Sequence, residues 1–418
     1  MVEKRKPIPV SEAIHKLMQR VNVLDTEVVS LSDAYNRILA ESILAKHDIP
    51  HFDRSAMDGF AVRAEDTVGA TGDNRISFKV VDHIGAGHVS KITVGKNEAV
   101  RIMTGAALPD GADTVVMFEQ ARELDDTFSV RKTFEKGENV SFKGEDAKIG
   151  TELANPGSLI HPGVIALLAT LGYGKVTVSK KPVVGLLSTG TELLDVNDEL
   201  EPGKIRNSNG WMIEAQLKRM GIECRSYGMQ SDDLESCYET VVQALKETDC
   251  LITTGGVSVG DFDLLPAIYE RLGAEVLFNK IAMRPGSVTT VAVTEKHILF
   301  GLSGNPSACF SGFELLVRPV LLKMMGSTKP YLPQTKAVLQ EDFVKANPFT
   351  RFIRATFENT TDGAIVTPAG FNKSNAVSSL AKCNAIIVLP SGTKGFTAGI
   401  EVDVLLLGYE EGEAEWKL

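Results

Sequence analysis

A chain of 418 residues, 43% hydrophobic and 6% aromatic, is long enough to bury about three separate cores. Its formal net charge of −10 opposes generic association with nucleic acid, which draws most of its strength from phosphate neutralisation by Lys and Arg. No apolar run approaches the roughly 20 residues that span a bilayer, and the opening MVEKRKPIPVSEAIHKL lacks the apolar centre of a signal peptide. These features predict a multidomain protein of the cytoplasm, with neither nucleic acid nor membrane as partner.

The N-terminus reads as helix. Ser11 can cap it, and Ile14, Leu17, Met18 and Val21 recur at i, i+3, i+4 and i+7 on one face. A second capped helix is expected from Ser32. Between 47 and 140 the pattern changes to short β-branched runs such as 76–82. These are broken by turn signals at Thr71-Gly72-Asp73-Asn74, Gly85-Ala86-Gly87 and Pro109-Asp110-Gly111, which predicts a separate, mostly β domain. Residues 162–173 return to a helical pattern through Val164, Ile165, Leu167, Leu168 and Leu171, and are expected to pack with the N-terminal helices. Residues 47–140 then form an insertion between two halves of one helical layer, 1–46 and 141–180.

From 181 to 327 continuous apolar strands alternate with amphipathic helices. Strands are expected at 183–187, 224–228, 251–254, 276–278, 289–293 and 298–302, and helices at 209–220, 234–245, through Ile268 and from about Ser307. Strands separated by helices imply a mainly parallel sheet covered on both faces. Ser327-Thr328-Lys329-Pro330 reads as a linker, and the strand-rich remainder, best at 385–389 and 402–407, predicts a β domain over 328–418. The fold class is therefore α/β multidomain: a central, mainly parallel α/β sandwich domain with a helical N-terminal layer, an inserted β domain and a C-terminal β domain.

Open parallel sheets bind ligands beyond the carboxyl ends of their strands. Three loops there are unusual: Ser188-Thr189-Gly190-Thr191-Glu192, Thr253-Thr254-Gly255-Gly256-Val257-Ser258-Val259-Gly260 and Ser303-Gly304-Asn305-Pro306. Glycine lets the backbone approach a phosphate, and hydroxyls and helix N-terminal N–H groups donate to it. A single Gly-rich turn is ordinary between strand and helix, but three in one sheet favour a phosphorylated ligand. The same strand ends carry Glu192, Asp232, Asp233, Asp261 and Asp263. Each alone is more often an N-cap or a solvated charge. Gathered round one crevice they suit Mg²⁺, a hard cation held by a few oxygens and by substrate phosphates. Lys280 and Arg284 can add positive charge nearby.

Other chemistries lack support. Cys224, Cys237, Cys250, Cys309 and Cys383 form no C-x-x-C pair, and no cysteine sits beside a histidine, so neither a zinc site nor a disulfide framework is expected.

Five strings in order, Ser55-Ala56-Met57-Asp58-Gly59, Met103-Thr104-Gly105-Ala106, Ser188-Thr189-Gly190-Thr191-Glu192, Gly255-Gly256-Val257-Ser258-Val259-Gly260 and Gly304-Asn305-Pro306, resemble the molybdopterin molybdenumtransferase (MoeA) family over nearly the whole chain. The resemblance implies an elongated homodimer of four-domain subunits, with the active cleft between the α/β domain of one subunit and the β insertion of the other. It implies a reaction in which adenylylated molybdopterin and molybdate, with a divalent cation, yield molybdenum cofactor and AMP, and partners among other cofactor-synthesis proteins. Carried over by position, it implies catalytic roles for Asp58, Thr104, Asp146, Glu192, Asp232 and Asp263, with Glu192, Asp232 and Asp263 as metal ligands. Substrate contacts fall on Ser188, Thr189, Gly190, Gly255, Gly256, Ser258, Arg284, Ser303, Gly304, Asn305 and Pro306.

Two strings depart from the family pattern. Arg284-Pro285-Gly286-Ser287-Val288 stands where many relatives read Lys-Pro-Gly-Lys-Pro, and Leu302-Ser303-Gly304-Asn305-Pro306 where they read Leu-Pro-Gly-Asn-Pro. Alternative activities are ATP-dependent adenylylation of molybdopterin, from the likeness of the α/β domain to the adenylyltransferase, and non-catalytic scaffolding as in gephyrin.

Overall fold

The structure is a computed structural model that describes residues 6–231, 233–256, 264–344 and 348–408. Its contacts divide the chain into two compact units, one of Met1–Ala40, Pro156–His161 and Lys175–Leu418, the other of Glu41–Asn155 and Pro162–Gly174. Among the described residues no helix is long and apolar enough to cross a membrane.

The first unit holds a six-stranded sheet in the order Glu223–Gln230, Val183–Thr189, Cys250–Thr254, Ile298–Leu302, Thr290–Val293, Glu275–Phe278. The first four strands run parallel, Thr290–Val293 runs against them, and Glu275–Phe278, antiparallel to Thr290–Val293, runs with the first four, so the sheet is mainly parallel, as expected. Every residue of Cys250–Thr254 and Ile298–Leu302 is buried, which accounts for their unbroken apolar runs. Successive side chains point to opposite faces. Leu186, Ile252 and Phe300 join one core with Ile213 and Leu217 of helix Ser208–Arg219, while Leu187, Leu251 and Leu299 join a second with Cys237, Val241 and Ala244 of helix Leu234–Leu245. The helix expected from about Ser307 begins with Pro306 and continues through a π-helical segment, Phe313–Val317, into Arg318–Met324.

The C-terminal strands of this unit close on themselves. Thr350–Thr360 pairs with both Gly363–Pro368 and Ala385–Leu389, and Gln334–Leu339 joins Gly363–Pro368 to Glu401–Leu406, which returns to Ala385–Leu389. The ring encloses Leu339, Ile353, Phe357, Val366, Ile387 and Val404. A short strand, Met283–Arg284, runs parallel to Thr350 and Arg351 and docks the α/β portion onto the barrel.

The N-terminal helix spans Val10–Met18 and buries Leu17 in the core of the main sheet, with Ile14 and Met18 packed against it. Its N-cap is Pro9, not Ser11, and no side chain caps it. The helix expected from Ser32 is instead one 3₁₀ turn, Leu31–Asp33, closed by Ser30 Oγ donating to Asp33 Oδ2 at 2.5 Å. Asn36 follows at φ 59°, a left-handed conformation that stops helical propagation. The preceding strand, Thr26–Ser30, pairs antiparallel with Lys175–Ser179.

The second unit is built on a six-stranded sheet in the order Thr114–Met117, Gly59–Val62, Glu98–Ile102, Ile76–Ile84, Thr127–Val130, Ala121–Leu124. Phe60 and Phe78 stack on Phe128, with ring centroids 3.9 and 5.3 Å away, to centre one core. Helix Pro162–Thr170 belongs to this unit, whereas the N-terminal helix belongs to the first. Tyr173 explains the placement: its hydroxyl donates to the Leu44 carbonyl at 3.1 Å and Lys46 Nζ lies 3.4 Å over its ring.

Candidate active site

The carboxyl ends of Val183–Thr189, Cys250–Thr254 and Ile298–Leu302 open into a crevice lined by Thr189, Glu192, Asn207, Asn209, Gly255 and Gly304 among others. The loops converge because glycines let the strand ends touch. Gly255 sits at φ +90°, and a Cβ there would lie 2.3 Å from the Thr189 carbonyl oxygen. Gly256, at φ +62°, would bring one to 2.9 Å from Thr189 Oγ1. The Gly255 N–H donates to the Leu302 carbonyl at 3.1 Å, tying two of the three loops together.

Ser188 is buried and faces inward. Its hydroxyl accepts from Asn207 Nδ2 at 2.9 Å and from Thr254 Oγ1 at 3.1 Å, so it supports the crevice from behind. Asn207 in turn caps helix Ser208–Arg219 by accepting from the Gly210 N–H at 3.0 Å. Gly190 and Glu192 are packed so closely that a Cβ on Gly190 would meet Glu192 Oε2 at 2.5 Å. Lys204 Nζ donates to the Thr191 carbonyl at 2.6 Å and the Ile205 N–H to the Glu192 carbonyl at 2.9 Å, so the Glu192 loop is held from one side. Asn209 donates its Nδ2 to the Gly304 carbonyl at 2.8 Å, and among the described residues its buried Oδ1 meets no hydrogen-bond partner.

Neither Asn207 nor Asn209 was singled out from the sequence. The signal was the string Asn207-Ser208-Asn209-Gly210 opening a helix beside the loops, which reads first as ordinary capping. Asp233, one of the candidate acids, does take that ordinary role and caps helix Leu234–Leu245 by accepting from the Ser236 N–H at 2.8 Å. Asp232, Ser258, Asp261 and Asp263 lie outside the described residues.

Glu192 is therefore the one described member of the expected metal set. Among the described residues no three His, Cys, Asp or Glu side chains gather to hold a metal. Among the described residues the crevice offers oxygen and amide donors and no His or Cys, which matches a hard divalent cation completed by substrate phosphates.

A larger cavity of about 500 Å³ lies on the other side of the Ser303-Gly304-Asn305-Pro306 loop. Gly304 and Pro306 line the crevice, whereas Ser303 and Asn305 line the cavity. Its other walls include Arg284, Arg351, Arg354 and Lys373, and among the described residues no carboxylate lines it. Arg354 is only 1% exposed and donates to neutral acceptors: Nε to Ser379 Oγ at 2.9 Å, and Nη2 to the carbonyls of Lys373 and Phe371 at 3.3 and 3.5 Å. Burial pushes its guanidinium below the usual value. Arg284, Ser303 and Asn305 were legible as strand-end residues, while Arg351, Arg354 and Lys373 were not, because they arrive from the barrel. Lys280 lines neither compartment.

In the second unit the remaining candidates share one loop cluster. Ser141 and Val140 pair with Arg54 and Ser55, and the Gly105 N–H donates to the Ser55 carbonyl at 2.9 Å. Asp58 and Thr104 are in direct contact: the Thr104 N–H and hydroxyl donate to Asp58 Oδ1 at 2.7 and 2.8 Å. These two bonds, the backbone one first, hold the Asp58 carboxyl below the usual carboxylate range. Asp146 is exposed, and its N–H donates to the Ile49 carbonyl at 3.0 Å. Substituting Thr104→Val removes the hydroxyl bond and keeps the backbone one, so Asp58 should titrate at higher pH than in the parent, though still below a free aspartate. Carboxyl-carbon NMR reads this directly, and an unmoved titration would show that the hydroxyl is not a donor.

Comparison with known proteins agrees with this architecture. The chain matches the MoeA N-terminal region (domain I and II) over residues 8–172, a probable molybdopterin binding domain over 185–323, and the MoeA C-terminal region (domain IV) over 336–407. It is 56% identical over 415 residues to a molybdopterin molybdenumtransferase of Staphylococcus aureus, with 99% of each chain covered. The chain belongs to the MoeA family. A second MoeA relative, the molybdopterin molybdenumtransferase of Staphylococcus epidermidis, is 55% identical over 414 residues, again with 99% of each covered. Among solved MoeA structures, that of the molybdopterin biosynthesis moeA protein from Pyrococcus horikoshii OT3 superposes with a TM-score of 0.83 at 34% identity, covering 96% of this chain and all of that one.

Proposed function

We infer that this chain is a molybdopterin molybdenumtransferase, inserting molybdate into adenylylated molybdopterin with release of AMP and formation of molybdenum cofactor. The observation that carries this reading is the Ser303–Asn305 wall, which among the described residues has a carboxylate-bearing crevice on one side and, on the other, a cavity lined by four cations and no carboxylate. The first suits a pyrophosphate escorted by a divalent cation. The second suits a free oxyanion, because a buried guanidinium with only neutral partners gains most from an anionic one.

Glu192, with Asp232 and Asp263, would hold Mg²⁺ at the crevice. When bound there, the ion supplies charge stabilisation for phosphate oxygens as the P–O bond to AMP breaks. Thr189 and the Gly255 and Gly304 backbone shape the phosphate end of that site, and Asn209 offers an oriented acceptor for a donor on the substrate. Arg284 and Arg354 hold the molybdate in the cavity.

The reading further takes the protein as cytoplasmic, as a homodimer, as a client of other cofactor-synthesis proteins, and as four domains at 1–46 plus 141–180, 47–140, 181–327 and 328–418. It places Asp58, Thr104 and Asp146 of one subunit at the cleft of the other. AMP release from adenylylated molybdopterin with Mg²⁺, measured with and without molybdate, tests the reaction: release that depends on molybdate supports it. ATP consumption with molybdopterin and no such release would make the chain an adenylyltransferase, and neither activity would leave a scaffold. Mixing Asp58→Ala with Glu192→Ala subunits tests the shared cleft, since one site per mixed dimer then keeps both groups. Activity should recover in a demonstrated mixed dimer, and silence there would assign each site to a single subunit.

A further inference from the structure

We propose that Arg351, paired with Arg284, makes the cationic cavity selective for doubly charged tetrahedral oxyanions over singly charged ones. The inference rests on the reading of that cavity as the oxyanion site. Arg284 and Arg351 are register partners in a parallel ladder, so their side chains leave the sheet on the same side, with backbones about 5 Å apart. Both line the cavity. Like charges set directly opposite on neighbouring strands repel, and the repulsion is felt: burial first, and then the charge of Arg284, push the Arg351 guanidinium below its usual value.

Each guanidinium is also seated on an aromatic ring, Arg284 with its central carbon 5.7 Å from the Phe349 centroid and Arg351 5.1 Å from that of Phe343. The rings favour cations over their faces and restrict the side chains from swinging apart. A monoanion brings a single negative charge to the two guanidiniums, which repel one another. A dianion balances both, with the buried Arg354 left to donate to a further oxygen. The pair therefore discriminates by charge where shape is equal, a distinction that neither Arg354 nor the hydroxyls of Ser303 and Ser374 can make alone.

Molybdate and perrhenate provide the test, because both are tetrahedral tetraoxo anions of similar size that differ by one charge. Binding of each to the full-length protein is measured by equilibrium dialysis for the parent, Arg351→Gln, Arg351→Lys and Arg354→Gln, with thermal unfolding to confirm that each variant is folded. The parent should prefer molybdate, and Arg351→Gln should weaken molybdate about tenfold or more, the effect of losing one well-placed charge. Perrhenate should change by no more than roughly threefold, and Arg351→Lys should restore most of the preference. Arg354→Gln should weaken both anions. If the parent binds molybdate and Arg354→Gln loses it, but Arg351→Gln keeps the parental ratio of the two anions, the selectivity assignment is wrong and the cavity reading stands. If the parent binds no molybdate, or Arg354→Gln binds it as the parent does, the cavity reading itself is overturned.

Discussion

Arg354→Met is expected to cripple molybdate use while leaving the protein as stable as the parent or slightly more so. The two effects separate because they come from different properties of one side chain. Arg354 is buried at 1% exposure, and its three hydrogen bonds go to a hydroxyl and two carbonyls. Among the described residues no carboxylate pairs with it. Desolvating a cation costs several kcal/mol, and neutral partners offset only part of that, whereas methionine fills a similar volume without the cost. The lost bonds, worth about 1 kcal/mol each, and the removed desolvation penalty roughly cancel. Oxyanion binding has no such cancellation. Removing a desolvated, hydrogen-bonded charge from one partner typically costs about 2–5 kcal/mol, or roughly 30-fold to several thousand-fold in molybdate affinity.

Two measurements decide it. kcat/KM for molybdate should fall by that factor, and molybdate should raise the thermal midpoint of the parent but not of the variant, since only a ligand that binds the native state stabilises it. A variant that unfolds far below the parent, or keeps its molybdate response, would sink the assignment of Arg354 as an anion anchor.

Gly255→Ala is expected to damage both fold and activity. At φ +90° an alanine is strained whatever the space, and here the new Cβ would sit 2.3 Å from the Thr189 carbonyl oxygen, well inside contact. Strain and overpacking together predict a loss of about 2–6 kcal/mol in the unit that contains it. Relief requires the ends of Cys250–Thr254 and Val183–Thr189 to part, which moves Thr189 out of the crevice wall and breaks the Gly255 bond to Leu302. The urea midpoint should drop and kcat should fall with it. Gly228→Ala is the control, because Gly228 has a similar φ of +76° but nothing within 4 Å of the new Cβ. It should lose only the backbone strain, about 1–2 kcal/mol. Equal losses at both positions would mean that crowding against Thr189 is not what requires a glycine at 255.

Much of the central domain is legible in the order of its residues. The strand 298–302 and the helix 234–245 begin and end where periodicity places them, because a strand buried on both faces is an unbroken apolar run and a half-buried helix shows its stripe. Failures follow from the same physics. Ser32 carries a capping residue's chemistry but leads into no apolar stripe, so it makes one turn and stops. Residues 162–170 are apolar nearly all round, and such a helix does not say which surface covers it. The glycine-rich loops are recognisable by composition, yet Ser188 braces Asn207 and Thr254, since sequence cannot tell which way a hydroxyl points. Arg351, Arg354 and Lys373 are invisible as a group, because three cations spread over a strand and a loop meet Arg284 and Ser303 only once a barrel closes beside the main sheet.

Closure of that barrel also sets a timescale. Arg351 is flanked by Arg284 on one side and Leu389 on the other, and Arg354 lies on the same strand opposite Ile386, within a ring that has no free end. Peeling this strand away means breaking ladders on both of its sides, so its amides are expected to exchange with solvent deuterium only through the rarest openings of the unit. The guanidinium groups thus hang from a backbone held on both sides, and an oxyanion bound there would meet an arrangement that persists between turnovers and need not be rebuilt for each one.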